Sequence, residues 1–410
     1  MNSISRVKLG DLIEFQRGYD LPKSQFIKGE YPVQASNGVL GYHNEFKVKG
    51  PGITIGRSGT VGLPHLVKLN FFPHNTTLFV KDFKGNDIEY IFYLLKNLKL
   101  GDKKSGSSVP TMNRNHLHPI KIIAYKNLPT QKSIAKVLSD LDAKIELNNK
   151  INRELEAMAK TLYDYWFVQF DFPDANGKPY KSSGGKMVYN AELKREIPEG
   201  WAVKKLSQIA NITMGQSPSG SSYNDDGIGE IFFQGSTDFG WRYPTIRQYT
   251  TEPSRMAKSG DILLSVRAPV GTLNIADNDC CIGRGLTALN SKSGYDSYLY
   301  YVMEYFKQIF DHRNNAGTTF GSITKDDLHS LKLVYPKDDL LKKYNQTVSK
   351  FNQMILINHK QNQHLTTLRD WLLPMLMNGQ VTVRQAHGNA VQEAEERLNM
   401  AAEPSVKYGS

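Results

Sequence analysis

The stretches QKSIAKVLSDLDAKIELNNKINRELEAMAKTLYDYWF (131–167) and LKKYNQTVSKFNQMILINHKQNQHLTTLRDWLLPMLM (341–377) decide the fold of this chain. In both, apolar residues recur at steps of three and four, which predicts long helices with a coiled-coil seam. Each seam carries two asparagines at equivalent places. Because a polar seam residue fixes register at a cost in stability, this match favours helices that face each other over two helices packed on separate domains. The predicted seam comprises Leu141, Ile145, Asn148, Asn152, Leu155, Phe351, Ile355, Asn358, Asn362 and Leu365.

The rest of the chain is repeated as well. Four pairs of segments match, and the separation between partners changes slowly along the chain, as expected for a duplicated unit with later insertions in surface loops. The pairs are VKLGDLIEFQRG (7–18) with KKLSQIANITMG (204–215), PVQASN (32–37) with FFQGST (232–237), GITIGRSGTVG (52–62) with GDILLSVRAPVG (260–271), and SGSSVPTMNRNHLHPIKII (105–123) with AGTTFGSITKDDLHSLKLV (316–334). In this alignment Gln34 corresponds to Gln234 and His118 to His329.

The order of these parts constrains their connection. If the first helix leaves the first domain and arrives at the second, the second helix must return, so the pair is predicted to be antiparallel with a pseudo-two-fold axis. Roughly 35 residues at about 1.5 Å each make a rod on the order of 50 Å. Such a rod exceeds one turn of a DNA duplex, about 34–36 Å. The arrangement therefore suits two domains that each contact one short half-site on one face of DNA.

The composition is compatible with a nucleic-acid partner. The 410 residues include 51 Lys and Arg against 40 Asp and Glu, which gives a net charge of +11 and a pI near 9.3 and suits a polyanionic partner. The adjacent Cys280 and Cys281 fit neither a disulfide framework nor a C-x-x-C metal site. Neither a signal-peptide pattern nor a run of about 18 apolar residues is found, so we expect a cytoplasmic protein.

Several segments resemble one known family. LYDYWFVQFDFP (162–173), followed by NGKPYKSSGGKMVYNAELKREIPEGW (176–201), is similar to the central segment of the specificity subunits of type I restriction-modification systems. Four further segments resemble elements of that family's second domain: MGQSPSGSSYN (214–224), IFFQGS (231–236), GDILLSVRAPVGTLNIA (260–276) and CIGRGLTAL (281–289). The resemblance covers nearly the whole chain and is weakest over residues 381–410.

The resemblance implies a non-catalytic subunit of mixed α/β fold that recognises a split DNA sequence, one half-site per target-recognition domain, with a spacer set by the antiparallel helices. It implies two methylation subunits, which carry S-adenosylmethionine and methylate adenine, and two restriction subunits, which use ATP and magnesium. No cofactor or metal is expected in this chain. The expected order is a first target-recognition domain (1–127), a spacer helix (128–168), a linker (169–200), a second target-recognition domain (201–337), a second spacer helix (338–380) and a polar tail (381–410).

Candidate DNA contacts are loop residues beside predicted strands. Arg and Lys can bond guanine, Gln and Asn suit adenine, and Ser, Thr and backbone amides hold phosphates. For each candidate, an ordinary turn or solvated residue is the alternative. The candidates are Arg17, Tyr19, Gln34, Ser36, Asn37, Arg57, Ser58, Lys103, Lys104, Ser107, Arg114, Gln216, Ser217, Tyr223, Gln234, Ser236, Arg242, Arg267, Arg284, Arg313, Thr318, Thr319 and Lys325. The loops at 106–108 and 317–319 rank highest, because they occupy equivalent places beside basic residues.

Aromatic residues close the long helices. Tyr163, Trp166 and Phe167 end the first, and Trp371 lies near the end of the second. They are candidates for docking the methylation subunits, since buried aromatic side chains often anchor interfaces. Core packing against a domain is an equal alternative.

Catalytic functions have little support. The N-P-P-[FY] site and the glycine-rich cofactor turn expected of an adenine methyltransferase are both missing, and Gly283-Arg284-Gly285 lacks the third glycine of a dinucleotide motif. A nuclease-like pairing of Asp174 with Glu192-Leu193-Lys194 falls in a loop-rich segment. The alternative function from another class is a paired-domain scaffold that binds protein or RNA without reading DNA sequence.

Overall fold

The computed structural model describes residues 4–102, 112–267, 269–315 and 322–383. The chain divides into two compact units. Unit 1 comprises residues 1–148 and 360–410, and unit 2 comprises residues 149–359. Unit 1 is therefore built from both ends of the sequence, and each unit contains a part of both long helices.

Unit 1 is a β-structure packed on helices. Its strands are β1 Ile4–Lys8, β2 Glu14–Arg17, β3 Tyr31–Ala35, β4 Gly38–His43, β5 Gly52–Gly56, β6 Pro64–Val67, β7 Phe72–Pro73, β8 Thr77–Asp82 and β9 Lys121–Tyr125. Its helices are α1 Leu9–Leu12, α2 Ile88–Asn97, α3 Arg114–Leu117 and the start of α4 Leu128–Tyr163, with 3-10 turns at Lys23–Gln25 and Leu100–Asp102. One sheet has the order β2-β8-β5-β6, a second has the order β4-β3-β7, and β1 pairs with β9.

The core of unit 1 lies between the first sheet and the helices. All five residues of β5 are buried, as expected for a strand covered on both faces. Asp87 caps α2 by accepting from the backbone N–H of Tyr90 at 2.9 Å, and this helix buries Tyr90, Ile91 and Leu94 against the sheet. Burying such side chains contributes about 1.5–3 kcal/mol each.

Unit 2 repeats this plan and adds strands. They are β10 Met187–Asn190, β11 Arg195–Pro198, β12 Ala202–Lys205, β13 Ala210–Met214, β14 Tyr223–Asn224, β15 Glu230–Phe233, β16 Tyr249–Thr250, β17 Met256–Ala257, β18 Ile262–Ser265, β19 Leu273–Ile275, β20 Cys280–Ile282, β21 Leu286–Ser291 and β22 Lys332–Tyr335. Its helices are α5 Leu206–Ile209, α6 Asp296–Asn315, α7 Lys325–Ser330 and the start of α8 Asp338–Met377. A π-helical turn, Asp164–Val168, follows α4, and 3-10 turns lie at Gly220–Ser222 and Ser236–Asp238.

The strand orders of the two units correspond. The sheet β2-β8-β5-β6 of unit 1 reappears in unit 2 as β13-β21-β18-β19, and the pair β1-β9 reappears as β12-β22. The parallel pair β3-β7 likewise reappears as β15-β20. The repeated sequence thus folds into a repeated topology.

The two long helices run antiparallel where they meet in each unit. In unit 1, Asn148 Nδ2 donates to Asn362 Oδ1 at 2.8 Å, and Arg369 Nη1 lies 2.6 Å from Asp142 Oδ1. In unit 2, Asn358 Nδ2 donates to Asn152 Oδ1 at 2.8 Å. These amide hydrogen bonds offset part of the cost of burying the asparagines, although Asn148 Oδ1 is buried without a hydrogen-bond partner among the described residues. All ten predicted seam residues are buried or half-buried.

The segment predicted as a linker, 169–200, holds a β-hairpin of β10 and β11. Phe172 stacks on Tyr180 at 4.6 Å and on Trp201 at 5.1 Å between ring centroids, which fastens the segment to unit 2. The sequence of β10 gives little strand signal, because Met187, Val188 and Tyr189 are apolar in succession and lack the alternation by which strands are predicted.

Of the predicted polar tail, Val381 and Val383 pack against the core of unit 1, and residues 384–410 lie outside the described residues. Among the helices in the described ranges, none is long and apolar enough to cross a membrane.

Candidate nucleic-acid interface

In unit 1, several predicted residues meet around Thr76. The backbone N–H of Arg57 donates to the Thr76 carbonyl at 2.8 Å, and the N–H of Ser36 donates to Thr76 Oγ1 at 3.3 Å. The Thr60 hydroxyl donates to Asn37 Oδ1 at 3.4 Å. Loops from three places in the sequence thus form one polar patch.

The loop after β2 joins the same patch. The N–H of Tyr19 donates to the Pro73 carbonyl at 2.8 Å, and its ring centroid lies 6.0 Å from that of Phe72 and 6.1 Å from that of Phe79. Arg17 forms an exposed ion pair with Asp20 at 3.2 Å, and such a pair contributes little to stability. We call this patch surface 1, comprising Arg17, Tyr19, Ser36, Asn37, Arg57, Ser58, His74 and Thr76.

In unit 2, predicted residues meet around the hydroxyl of Ser217. This oxygen accepts from Gln234 Nε2 at 3.0 Å and from the backbone N–H and Nε of Arg284 at 3.2 and 3.3 Å. The hydroxyl of Tyr223 lies 3.5 Å from Gln234 Oε1. We call this patch surface 2, comprising Gln216, Ser217, Tyr223, Gln234 and Arg284.

Both surfaces lie at equivalent places in the repeated fold, where the glycine after β2 or β13 lies against the residue that follows β7 or β20. We call this place the corner. A Cβ on Gly18 would lie 2.1 Å from the His74 carbonyl oxygen, and a Cβ on Gly215 would lie 2.2 Å from that of Gly283. Only glycine permits backbones to approach so closely. A Cβ on Gly283 or Gly285, the glycines beside Arg284, would likewise lie 2.9 or 2.8 Å from the backbone of Gln234.

Backbone hydrogen bonds at this corner correct the sequence alignment by one residue. The His74 N–H donates to the Gln34 carbonyl at 2.9 Å, and the Gly283 N–H donates to the Phe233 carbonyl at 2.8 Å. Gln34 thus occupies the place of Phe233, and the predicted match of Gln34 with Gln234 is wrong. The two glutamines suggested a match that is out of register by one residue. The difference matters because adjacent strand residues point to opposite faces of the sheet.

Three candidates are buried, of which Ser36, 9% exposed, belongs to surface 1 through its backbone N–H. Gln34 is 3% exposed, as its correspondence with the buried Phe233 requires. Arg242 is 2% exposed and forms an ion pair with Glu156 of α4. We therefore leave both out of the proposed DNA-contacting set. The sequence predicts an exposed Arg242, because arginines in loops are ordinarily exposed and its acidic partner Glu156 is distant in sequence.

The remaining candidates differ in their exposure and in whether the structure describes them. Ser236 is half-buried, while Arg114, Arg267 and Lys325 are exposed. Arg313 lies in α6, but its side chain is outside the described part of the structure. Lys103, Lys104, Ser107, Thr318 and Thr319, including the two loops ranked highest, lie outside the described residues.

Sequence reasoning also missed residues that the fold places in these patches. Thr76 and His74 complete surface 1, and the Ser254 hydroxyl donates to the Gln216 carbonyl beside surface 2. Nothing in the local sequence of Thr76 distinguishes it. The parallel pairing of β3 with β7 brings it there, and a parallel pairing joins segments distant in sequence.

The aromatic docking candidates differ in exposure. Tyr163 and Phe167 are buried in the core of unit 2, and Trp166 is half-buried. Burial raises the pKa of Tyr163 well above its ordinary value. Tyr163 and Phe167 line a cavity of about 210 Å³ with the cationic Arg195 and Lys332. Trp371, in unit 1, is 47% exposed.

The acidic residues of the nuclease-like pattern have other partners. Asp174 Oδ1 accepts from two backbone N–H groups of its own turn, those of Asn176 and Lys178, both at 2.8 Å. Glu192 pairs with Lys332 at 2.6 Å. Within the described ranges, no group of three or more His, Cys, Asp or Glu side chains is placed to hold a metal ion.

The histidines matched by the repeat, His118 and His329, differ in their contacts. His118 Nε2 accepts from the Phe15 N–H at 3.0 Å. Burial lowers the pKa of His118, and Lys84 and Arg114 lower it further. His329 Nε2 is buried and has no hydrogen-bond partner in the described structure. The imidazole of His118 therefore helps to hold β2, the strand of Phe15, in place.

Comparison with known proteins decides the family. The domain family described as "Type I restriction modification DNA specificity domain" matches twice, over residues 3–157 and 198–367. The chain belongs to the type I restriction-modification specificity-subunit family. The predicted family and the mixed α/β fold are confirmed.

Individual relatives agree with this assignment. A type I restriction enzyme specificity subunit of Methanocaldococcus jannaschii, MjaX, is 33% identical over 328 residues, which cover 77% of this chain and 74% of the relative. The MjaIX specificity subunit of the same organism is 26% identical, over 72% and 70% of the two chains. The crystal structure of the S subunit from M. genitalium has the same fold, with a TM-score of 0.59 at 18% identity over 92% of this chain and 96% of that one.

Proposed function

We propose that this chain is the sequence-reading subunit of a type I restriction-modification complex and that it binds a bipartite, asymmetric DNA target, one half-site per unit. The observation that supports this most strongly is the equivalence of surfaces 1 and 2. Each lies at the corner where a glycine approaches the backbone after a parallel strand. Two patches at matching places of a duplicated fold suit two half-sites.

The chemistry of the patches suits DNA. Exposed Arg17 and Arg284 and half-buried Arg57 can bond guanine O6 and N7, and exposed Gln234 and Asn37 can bond adenine N6 and N7. Serine hydroxyls and loop amides suit phosphate oxygens. The net charge of +11 favours association with a polyanion.

In this proposal the chain recognises DNA and its partners carry the chemistry. Two methylation subunits would supply S-adenosylmethionine and methylate adenine, and two restriction subunits would use ATP and magnesium. The long antiparallel helices would set the spacer between the half-sites. Trp371 and Trp166, with the cavity beside Tyr163 and Phe167, are the proposed docking points for the methylation subunits.

The experiment is methylome sequencing of cells that express this chain with its methylation subunits, against cells that lack only this chain. We expect methylated adenines in one split motif, and none of them in the control. Duplex binding by the assembled complex should prefer that motif and weaken steeply as salt rises. Methylation without a split motif, or equal binding to all sequences, would support the scaffold alternative instead.

A further inference from the structure

Residues 236–247, which we call the Arg242 loop, leave surface 2 two residues after Gln234. The loop begins with the 3-10 turn Ser236–Asp238. Further along, the N–H of Gly240 donates to Asn274 Oδ1 at 3.1 Å, and Asn274 Nδ2 donates back to the Gly240 carbonyl at 3.0 Å. The N–H of Ile275 donates to the Arg242 carbonyl at 2.8 Å. The backbone of the loop is thus fastened to β19.

The side chain of Arg242 fixes the loop to three helices of unit 2. Its guanidinium forms an ion pair with Glu156 of α4, and Nη2 donates to Asn352 Oδ1 of α8 at 2.7 Å. Its Cζ also lies 4.6 Å from the ring centroid of Tyr300 in α6. These contacts connect the loop to both long helices.

The partners of Arg242 are themselves held in place. The hydroxyl of Tyr301 donates to Glu156 Oε1 at 3.0 Å, and Asn352 Nδ2 donates to Ser297 Oγ at 3.0 Å. Replacing a buried ion pair with well-packed apolar residues is often neutral or stabilising. Packing alone therefore does not require an arginine here. The directional contacts of the guanidinium with Glu156 and Asn352 instead hold the loop in one geometry.

The two residues beside Arg242 differ in exposure: Tyr243 packs in the interior, and Trp241 faces solvent. Tyr243 is buried, and its ring centroid lies 4.5 Å from that of His359 in α8. Trp241 is 55% exposed. An exposed indole between two anchored residues is held in place at little entropic cost, since the backbone around it is already ordered.

We propose that Arg242 is a positioning residue for the second half-site: it fixes the Arg242 loop to the long helices so that the exposed side chains of the loop, Trp241 foremost, are held for contact with DNA. This rests on the proposed function, in which surface 2 reads DNA. It assigns a role in recognition to an arginine that does not itself touch DNA.

The test uses the full chain assembled with its methylation subunits and compares Arg242→Lys and Arg242→Met with the wild type. Binding is measured on the cognate site and on sites with single base changes in either half. We expect discrimination at the second half-site to fall about tenfold, which is about what one base contact supplies. Discrimination at the first half-site should change less than about twofold. Hydrogen exchange of residues 236–247 should rise in both variants.

Glu156→Gln tests the coupling. Alone it should weaken discrimination at the second half-site, and combined with Arg242→Met it should add nothing, because the two residues act through one contact. Equal losses at both half-sites, or faster exchange in the loop with unchanged discrimination, would overturn the proposal.

Trp241→Ala covers the case in which the Arg242 variants do not fold, since Trp241 is exposed. We expect it to retain the wild-type melting temperature and to lose discrimination at the second half-site only. Full discrimination in Trp241→Ala would refute the role of the loop while leaving the proposed function intact. If the wild-type complex shows no split-sequence preference, the proposed function itself fails.

Discussion

Gln34 and Gln234 carry the same letter in matched segments, yet one is buried and the other is exposed. The backbone around them has the same hydrogen bonds in both units. In unit 1 the Tyr19 N–H donates to the Pro73 carbonyl at 2.8 Å, and in unit 2 the Gln216 N–H donates to the Ile282 carbonyl at 3.0 Å. A shift of one residue along the strand moves the side chain to the other face. The repeated backbone therefore presents different side chains in the two units.

The charges of the two surfaces differ as well. Arg17 of surface 1 pairs with Asp20, whereas Arg284 of surface 2 bonds the hydroxyl of Ser217 and has no ion-pair partner among the described residues. Surface 1 also holds the half-buried Arg57, so the two surfaces differ in the number and the setting of their arginines. A duplicated framework with unlike patches is what an asymmetric bipartite target requires.

The largest effect is expected from exchanging one surface as a whole. Replacing residues 1–127 with the first domain of a relative of different specificity should replace one half of the methylated motif and leave the other half and the spacer unchanged. The reason is that surface 1 lies entirely within this segment. Methylome sequencing of cells carrying the chimera measures the result.

The reciprocal exchange of residues 201–337 is the matched control, and it should change only the other half. A motif altered in both halves by either exchange would show that the two units do not read independently. The comparison between surfaces 1 and 2 would then lose its functional meaning.

A smaller effect is expected from the two glutamines. Gln234→Ala should lower discrimination at the second half-site about tenfold, since one bidentate base contact supplies about 1–3 kcal/mol. Gln34→Ala should leave discrimination within about twofold and lower the unfolding free energy by about 1 kcal/mol, as for a typical buried substitution. Binding to sites with single base changes, together with urea denaturation of each variant, separates the two outcomes.

The opposite pattern, with Gln34→Ala impairing binding and Gln234→Ala silent, would mean that the buried glutamine becomes exposed when DNA binds. The correspondence of Gln34 with Phe233 would then describe only the free protein.

The duplication and the long helices could be predicted from sequence because their periodic patterns are long. The asparagine pairs, Asn148 with Asn362 and Asn152 with Asn358, lie together as their spacing suggested. Each prediction combined many residues, so single exceptions did not matter. The family resemblance rested on several segments for the same reason.

Single side chains could not be placed in the same way. Whether Arg242 faces solvent depends on Glu156 and Asn352, which lie 86 and 110 residues away in sequence. Thr76 enters surface 1 only through the pairing of β3 with β7. Contacts of this kind are set by tertiary structure, and the local sequence of a loop does not indicate them.

The smallest effect is expected from the histidines His118 and His329. Because the pKa of His118 is lowered in the folded state, that state binds fewer protons than the unfolded chain below the ordinary histidine pKa of about 6.5. The contribution of His118 to stability is therefore complete above about pH 6.5, falls as the pH drops toward the lowered pKa, and levels off below it. Protonation of Nε2 also removes the acceptor for the Phe15 N–H.

His118→Gln should flatten this part of the pH dependence, since the amide oxygen can still accept from Phe15 but does not titrate. The unfolding free energy, from urea denaturation at several pH values between 5 and 8, should lose a pH-dependent component on the order of 1 kcal/mol, the net value of one hydrogen bond. His329→Gln is the matched control in unit 2, where Nε2 has no described partner, and it should leave the component from His118 in place. An unchanged slope in His118→Gln would show that the hydrogen bond to Phe15 does not govern this part of the pH dependence.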